Sequence, residues 1–182
     1  MNGDDRADRE ALKKEGSKLV YRGEIFTVRK ETFQYADGSR ATREVVVHPG
    51  AVCVIPHDGQ SVYLVEQPRE AVGEPALLEL PAGKLDVEGE TPLECAQREL
   101  AEEIGKSAGD WRELKTFYTS PGFTNERVWL FLATELYDAP ERKTTDERIE
   151  VVEFPLDEID AAIDRCEDAE SLIGLLTLKQ LT

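Results

Sequence analysis

Three glutamates, Glu99, Glu102 and Glu103, fall within five residues, and Arg98 directly precedes them. On a helix at ~100° per residue their side chains share an arc of ~100°. Glu99 and Glu103 are four apart, so their carboxylates stack one turn above the other. Like charges at that spacing repel mildly, and a hard cation held by both removes the conflict. Arg98 and Glu102 are also four apart, which lets the guanidinium hold that carboxylate in one rotamer. An isolated Glu-Glu pair is ordinarily a solvated helix face. Here the acids follow a strand end, a glycine-containing loop and a capped helix start. The chemistry open to such a set is the joint binding of hard cations.

The helix that must carry these acids is marked at both ends. Thr91-Pro92-Leu93-Glu94 has the form of a capping box with proline at the first helical position, and Gly105 stops the run. The pattern predicts a helix over 92–104, with Leu93, Ala96, Leu100 and Ile104 as its core-facing stripe. Upstream, LVYRGEIFTVRKETFQY and ATREVVVHPGAVCVI flank Ala36-Asp37-Gly38-Ser39, the signature of antiparallel strands with an Asp-Gly hairpin tip. A second strand pair, SVYLVEQ and ALLELPAGK, leads to the helix. Strands resume at LKTFYTS, RVWLFLATEL and IEVVEFPL, the last after the polar loop DAPERKTTDE. Apolar spacing in the tail predicts two further helices. Residues 1–17, which alternate charges with little apolar content, read as a solvated arm.

Composition restricts what this framework can do. At 182 residues one domain is expected. With 38 Asp and Glu against 22 Lys and Arg, the net charge is -16, which repels nucleic acid and anionic membranes. A bound divalent cation reverses the local field, so a phosphate substrate stays compatible with an acidic chain. Cys53, Cys95 and Cys166 fit neither a disulfide framework nor a zinc cluster and read as reduced thiols. No apolar run approaches the ~20 residues of a membrane span, and the start lacks a secretory pattern. A cytoplasmic location is the expectation.

Gly83, six residues, Glu90, seven residues, then Arg98-Glu99-Leu100-Ala101-Glu102-Glu103-Ile104-Gly105 resembles the Nudix box. The family pattern has five residues in the first gap; the additional one lies in Val87-Glu88-Gly89, in the loop before the helix, where insertions are tolerated. The resemblance implies an α/β fold, an α/β/α sandwich around a mixed sheet with an N-terminal antiparallel sheet. It implies Mg²⁺, sometimes Mn²⁺, with more than one ion per site. Glu99 and Glu103 are the implied principal ligands, joined by the main-chain carbonyl of Ala82. Glu102 is implied as a further acid that shares a metal or orients water.

Outside the box, Pro121 lies sixteen residues after Gly105, where the ADP-ribose and ADP-sugar pyrophosphatases of the family carry a proline. Val65-Glu66-Gln67-Pro68-Arg69 and LELPAGKLD resemble the same group, and the likeness spans about residues 18–180. It implies hydrolysis of ADP-ribose to AMP and ribose 5-phosphate. The alternatives are another nucleoside diphosphate sugar, or a non-catalytic ADP-ribose-binding regulatory domain, which would be expected to lose an acid from the box. By the same resemblance Arg69 contacts the diphosphate, Arg43 and Glu44 contact the ADP portion, and Phe26 stacks. Plain structural roles stand beside these: a surface cation, a cross-strand partner and a core residue. The general base is expected in the polar loop, at Glu147, with Asp146 next. Residues 18–48 are too small a unit to bury a core alone, which predicts a domain-swapped homodimer built through them, with 49–182 as the hydrolase domain.

Overall fold

The computed structural model describes residues 12–139 and 148–181, so Asp146 and Glu147 lie outside the described residues. The chain divides into two compact units. One holds the described residues through Pro49 together with Ser120–Glu126; the other holds Gly50–Thr119 and the described residues from Arg127 onward.

In the first unit, β1 (Lys13–Arg22), β2 (Thr27–Gln34) and β3 (Arg40–Val47) form an antiparallel sheet in that order. The expected Asp-Gly tip is present. Gly38 takes a φ of 81°, and the Ser39 N–H donates to Asp37 Oδ1 at 2.9 Å. Strand β1 begins at Lys13, so residues 13–17 belong to the sheet and not to the arm expected through residue 17. The charges there are paired across strands: Glu31 accepts from Lys14 Nζ and Ser17 Oγ, each at 3.0 Å, and Glu15 pairs with Arg40. The segment Ser120–Glu126 is tied to the end of β3. Val46 N–H donates to the Phe123 carbonyl at 2.8 Å, and His48 N–H to Asn125 Oδ1 at 2.9 Å.

The second unit contains β4 (Ala51–Pro56), β5 (Ser61–Arg69), β6 (Glu74–Glu79), β7 (Ala82–Lys84), α1 (Pro92–Ile104), β8 (Lys106–Tyr118), β9 (Arg127–Asp138), β10 (Glu150–Pro155), α2 (Ile159–Arg165) and α3 (Ala169–Leu181). One sheet runs β7-β4-β9-β8 and is mixed, because β4 and β9 are parallel while its other pairs are antiparallel; the second runs β10-β5-β6. Alternation along β4 shows how the layers stack. Cys53 and Ile55 pack with Leu175 and Leu178 of α3, whereas Val52 and Val54 pack with Ala96 and Leu100 of α1. Helices therefore cover both faces of the sheet, the α/β/α arrangement that was expected. Each fully buried leucine in these layers contributes about 1.5–3 kcal/mol.

Three local expectations change. ALLELPAGK is not one strand: it breaks at Leu80-Pro81, and its halves β6 and β7 join different sheets. Strand β8 starts at Lys106, well before the apolar run that marked it, because Lys106-Ser107-Ala108 pair with Leu136-Tyr137-Asp138 of the neighbouring strand. On α1, Leu93 is 38% exposed, and the buried stripe runs through Cys95, Ala96, Leu100 and Ile104. No helix among the described residues is long and apolar enough to cross a membrane.

Candidate active site

Two short devices fix the helix that carries the acids. At its start Thr91 Oγ1 accepts from the Glu94 N–H at 3.3 Å, while Glu94 Oε2 accepts from the Thr91 N–H at 2.8 Å, a reciprocal capping box with Pro92 at the first position. At its end Gly105 adopts a left-handed φ of 68°, and its N–H returns to the carbonyls of Leu100 and Ala101.

The link from β6 to β7 is pinned from the opposite face. Leu80 N–H donates to Ser171 Oγ on α3 at 2.8 Å, and Val54 N–H donates to the Pro81 carbonyl at 2.8 Å. Cys53 and Ala82 are then opposite each other in the β4–β7 ladder. This brings main chain directly against the acids of α1. The Ala82 N–H donates to Glu103 Oε2 at 3.1 Å, and Glu103 is buried. At Gly83 the approach is closer still: a Cβ there would lie 2.0 Å from Glu99 Cδ.

Arg98 organises the remaining carboxylates. Its Nε and Nη2 donate to Glu90 Oε1 and Oε2 at 2.9 and 3.0 Å, a two-point hold. Its Nη1 donates to Glu99 Oε1 at 2.6 Å and Glu102 Oε2 at 3.2 Å, so one cation lies between two neighbouring acids. Hydrogen bonding to Glu90 is the largest influence that holds the Arg98 guanidinium well above its ordinary pKa, and the same bond lowers the Glu90 carboxyl below its own. The additional residue before Glu90 is absorbed locally. Gly89 takes a φ of 84°, and the Glu90 N–H turns back to the Val87 carbonyl at 3.2 Å. Both ends of the box stay in register, with Gly83 against Glu99 and Glu90 on Arg98.

Among the described residues no three acidic, His or Cys side chains are already gathered around one point as ligands. The donor set nevertheless suits a hard divalent cation: Glu99, Glu102 and Glu103 offer only oxygen, and Gly83 lets the main chain approach where a side chain would intrude. Cys95 is no competitor, since burial pushes its thiol up to about 12.

A cavity of about 270 Å³ in the same unit is lined by Arg69, Leu77, Glu79, Ala82, Asp168 and Glu170, among others. Arg69 is an exposed cation held by a buried acid. Its Nε and Nη2 donate to Glu79 Oε1 and Oε2 at 2.8 and 2.6 Å. Glu79 itself is 5% exposed and accepts a third bond from Gln67 Nε2 at 2.9 Å. Sequence reading passed over Glu79. The available signal was an acid inside the apolar run Leu77-Leu78-Glu79-Leu80.

The other expected contacts lie in the first unit. Arg43 is exposed, stands opposite Glu31 in the ladder and donates to the Thr42 carbonyl at 2.9 Å; Glu44 stands opposite Lys30. Phe26 is 39% exposed, with its ring 6.2 Å from that of Tyr21, and is not a core residue. His48 Nδ1 lies 3.0 Å from Glu126 Oε1.

The NUDIX domain family matches residues 47–173. A protein named ADP-ribose pyrophosphatase from Mycobacterium tuberculosis is 36% identical over 171 residues, 91% of this chain and 82% of that protein. One of the same name from Bacillus subtilis is 39% identical over 142 residues, 76% of each chain. The crystal structure of an ADP compounds hydrolase superposes with a TM-score of 0.80 at 23% identity, covering 93% of both chains, and so shares the fold. With the box acids gathered on one face of α1 and the family match running through both sheets, the chain belongs to the Nudix family of hydrolases.

Proposed function

We propose that the protein hydrolyses the diphosphate bond of ADP-ribose, giving AMP and ribose 5-phosphate, with Mg²⁺ as its cofactor, Mn²⁺ as a substitute and more than one ion per site. The observation that carries this reading is the junction of β7 with α1, where main chain at Ala82 and Gly83 meets Glu103 and Glu99. The names of relatives at 36–39% identity support the substrate. Retention of Glu99, Glu102 and Glu103 supports catalysis over a silent binding role.

Bound cations would neutralise the diphosphate, stabilise the leaving phosphate and lower the pKa of the attacking water. Glu99 and Glu103 would hold them with the Ala82 carbonyl, and Glu102 would share one or orient water. Arg98 holds the Glu99 and Glu102 carboxylates and the Ala82 N–H holds Glu103, so little reorganisation accompanies reaction. Arg69 is assigned to the diphosphate, and Arg43, Glu44 and Phe26 to the ADP portion. The deciding experiment is a Mg²⁺-dependent product assay across ADP-ribose, ADP-glucose, diadenosine polyphosphates and 8-oxo-dGTP. Preferred turnover of ADP-ribose supports the assignment, and preference for either of the last two would refute it.

Glu147 is assigned as general base, taking a proton from the attacking water. Glu147→Gln should lower kcat by ~10² to 10⁴ with little change in KM, since a positioned base acts in the transition state. Loss of kcat in Asp146→Asn and not in Glu147→Gln would move the base to Asp146.

The assembly is assigned as a domain-swapped homodimer through the N-terminal sheet. Val20, Tyr21 and Ile25 are each more than half exposed, an apolar group that a second copy would cover. Light scattering should give twice the chain mass; a monomer at working concentration would count against it. Three buried thiols and the acidic surface favour the cytoplasm.

A further inference from the structure

We propose that Glu79, a buried acid on β6, is a positioning residue that aims Arg69 at the diphosphate, so that Glu79 sets substrate affinity without touching substrate. This rests on the assignment of Arg69 as a diphosphate contact.

Burying the Glu79 carboxylate is costly, and its partner Arg69 keeps a side chain that is 44% exposed, so solvent weakens what the pair adds to stability. The pair between Glu79 and Arg69 is therefore better read for its geometry than for stability. Three donors reach one carboxylate, two from Arg69 and one from Gln67, and this fixes the plane of the guanidinium.

The surroundings make such a hold necessary. Among the described residues lining the cavity Arg69 is the one cation, and Asp168 and Glu170 line it too. Those acids offer competing directions for a flexible arginine. A two-point bond to Glu79 beats a single-point pull from either, because both donors are satisfied in one rotamer. With Nε and one Nη2 N–H committed to Glu79, the donors left for an incoming phosphate oxygen are the two on Nη1 and the outer N–H of Nη2. Ala82, whose carbonyl is assigned to the cations, lines the same cavity, which brings Arg69 and the cation-holding main chain to one hollow.

The test is a double-mutant cycle on Arg69→Ala and Glu79→Gln with steady-state hydrolysis of ADP-ribose as readout, each variant checked by its thermal midpoint. Gln keeps the shape of Glu79 and removes its charge. Glu79→Gln is expected to raise KM ~10-fold with kcat within about threefold, and Arg69→Ala to raise KM ~10- to 100-fold. The double variant should be no worse than Arg69→Ala, because a residue that acts only through Arg69 has nothing left to position. In an Arg69→Lys background, where two-point bonding is lost, Glu79→Gln should change KM less than twofold.

Unchanged KM in Glu79→Gln alongside a raised KM in Arg69→Ala overturns the positioning role and leaves the Arg69 assignment standing. Additive effects in the double variant overturn it as well. An Arg69→Ala variant with wild-type KM removes Arg69 from the diphosphate and the proposal with it. A fall in kcat and thermal midpoint without a change in KM marks Glu79 as structural only.

Discussion

Glu103→Gln and Glu99→Gln are each expected to remove nearly all turnover, on the order of 10³-fold, with the fold retained. Each exchange takes away one charge and leaves the side-chain volume as it was. Misplacing a cation-held charge in a phosphoryl-transfer site costs ~2–5 kcal/mol of transition-state stabilisation, which is ~30- to 5,000-fold in rate. Glu103 should be the more sensitive, because it is buried and its Oε2 also receives the Ala82 N–H. A Gln there can keep that bond through its own carbonyl oxygen, so circular dichroism and thermal midpoint should stay close to wild type while kcat collapses. Near-normal kcat for either variant at saturating Mg²⁺ would remove that residue from the ligand set.

The two halves of this site were unequally legible in the sequence. The helix could be read to the residue, since its signals are local: a capping box, a proline at the first position and a glycine that takes the left-handed conformation. The spacing of Glu99, Glu102 and Glu103 likewise follows from helical periodicity alone. What meets them from the sheet does not. The break of ALLELPAGK at Leu80-Pro81 depends on β7 finding β4 and on Ser171, ninety-one residues away, receiving the Leu80 N–H. Long-range pairing of this kind leaves no periodic trace. The early half of β8 was missed for the same reason, since its polar residues become strand only by pairing with β9. Glu79 was passed over because an acid next to Leu78 and Leu80 breaks the apolar pattern without saying which cation it meets. Residues 13–17 were misread from composition. Alternating charge resembles a solvated arm until the opposite charges are seen on the facing strand.

Gly83→Ala should separate what the box glycine does for the fold from what it does for catalysis. Gly83 is not among the glycines with left-handed φ, so an alanine is tolerated by the backbone itself. The obstacle is the space above it. A Cβ would sit 2.0 Å from both Cδ and Oε1 of Glu99 and 2.3 Å from Cγ, well inside the ~3.5–4.0 Å at which carbon atoms rest against one another. Those are the far atoms of a flexible side chain, so Glu99 can swing aside at small cost in stability. Once it does, the carboxylate no longer meets Arg98 Nη1 at its present place. Displacing a reacting group by ~1 Å is worth ~10² in rate, and the movement needed here exceeds that. A loss of ~10² to 10³ in kcat is therefore expected with a thermal midpoint near wild type. Turnover within about threefold of wild type would mean that the position of Glu99 beside β7 is not needed for the chemistry.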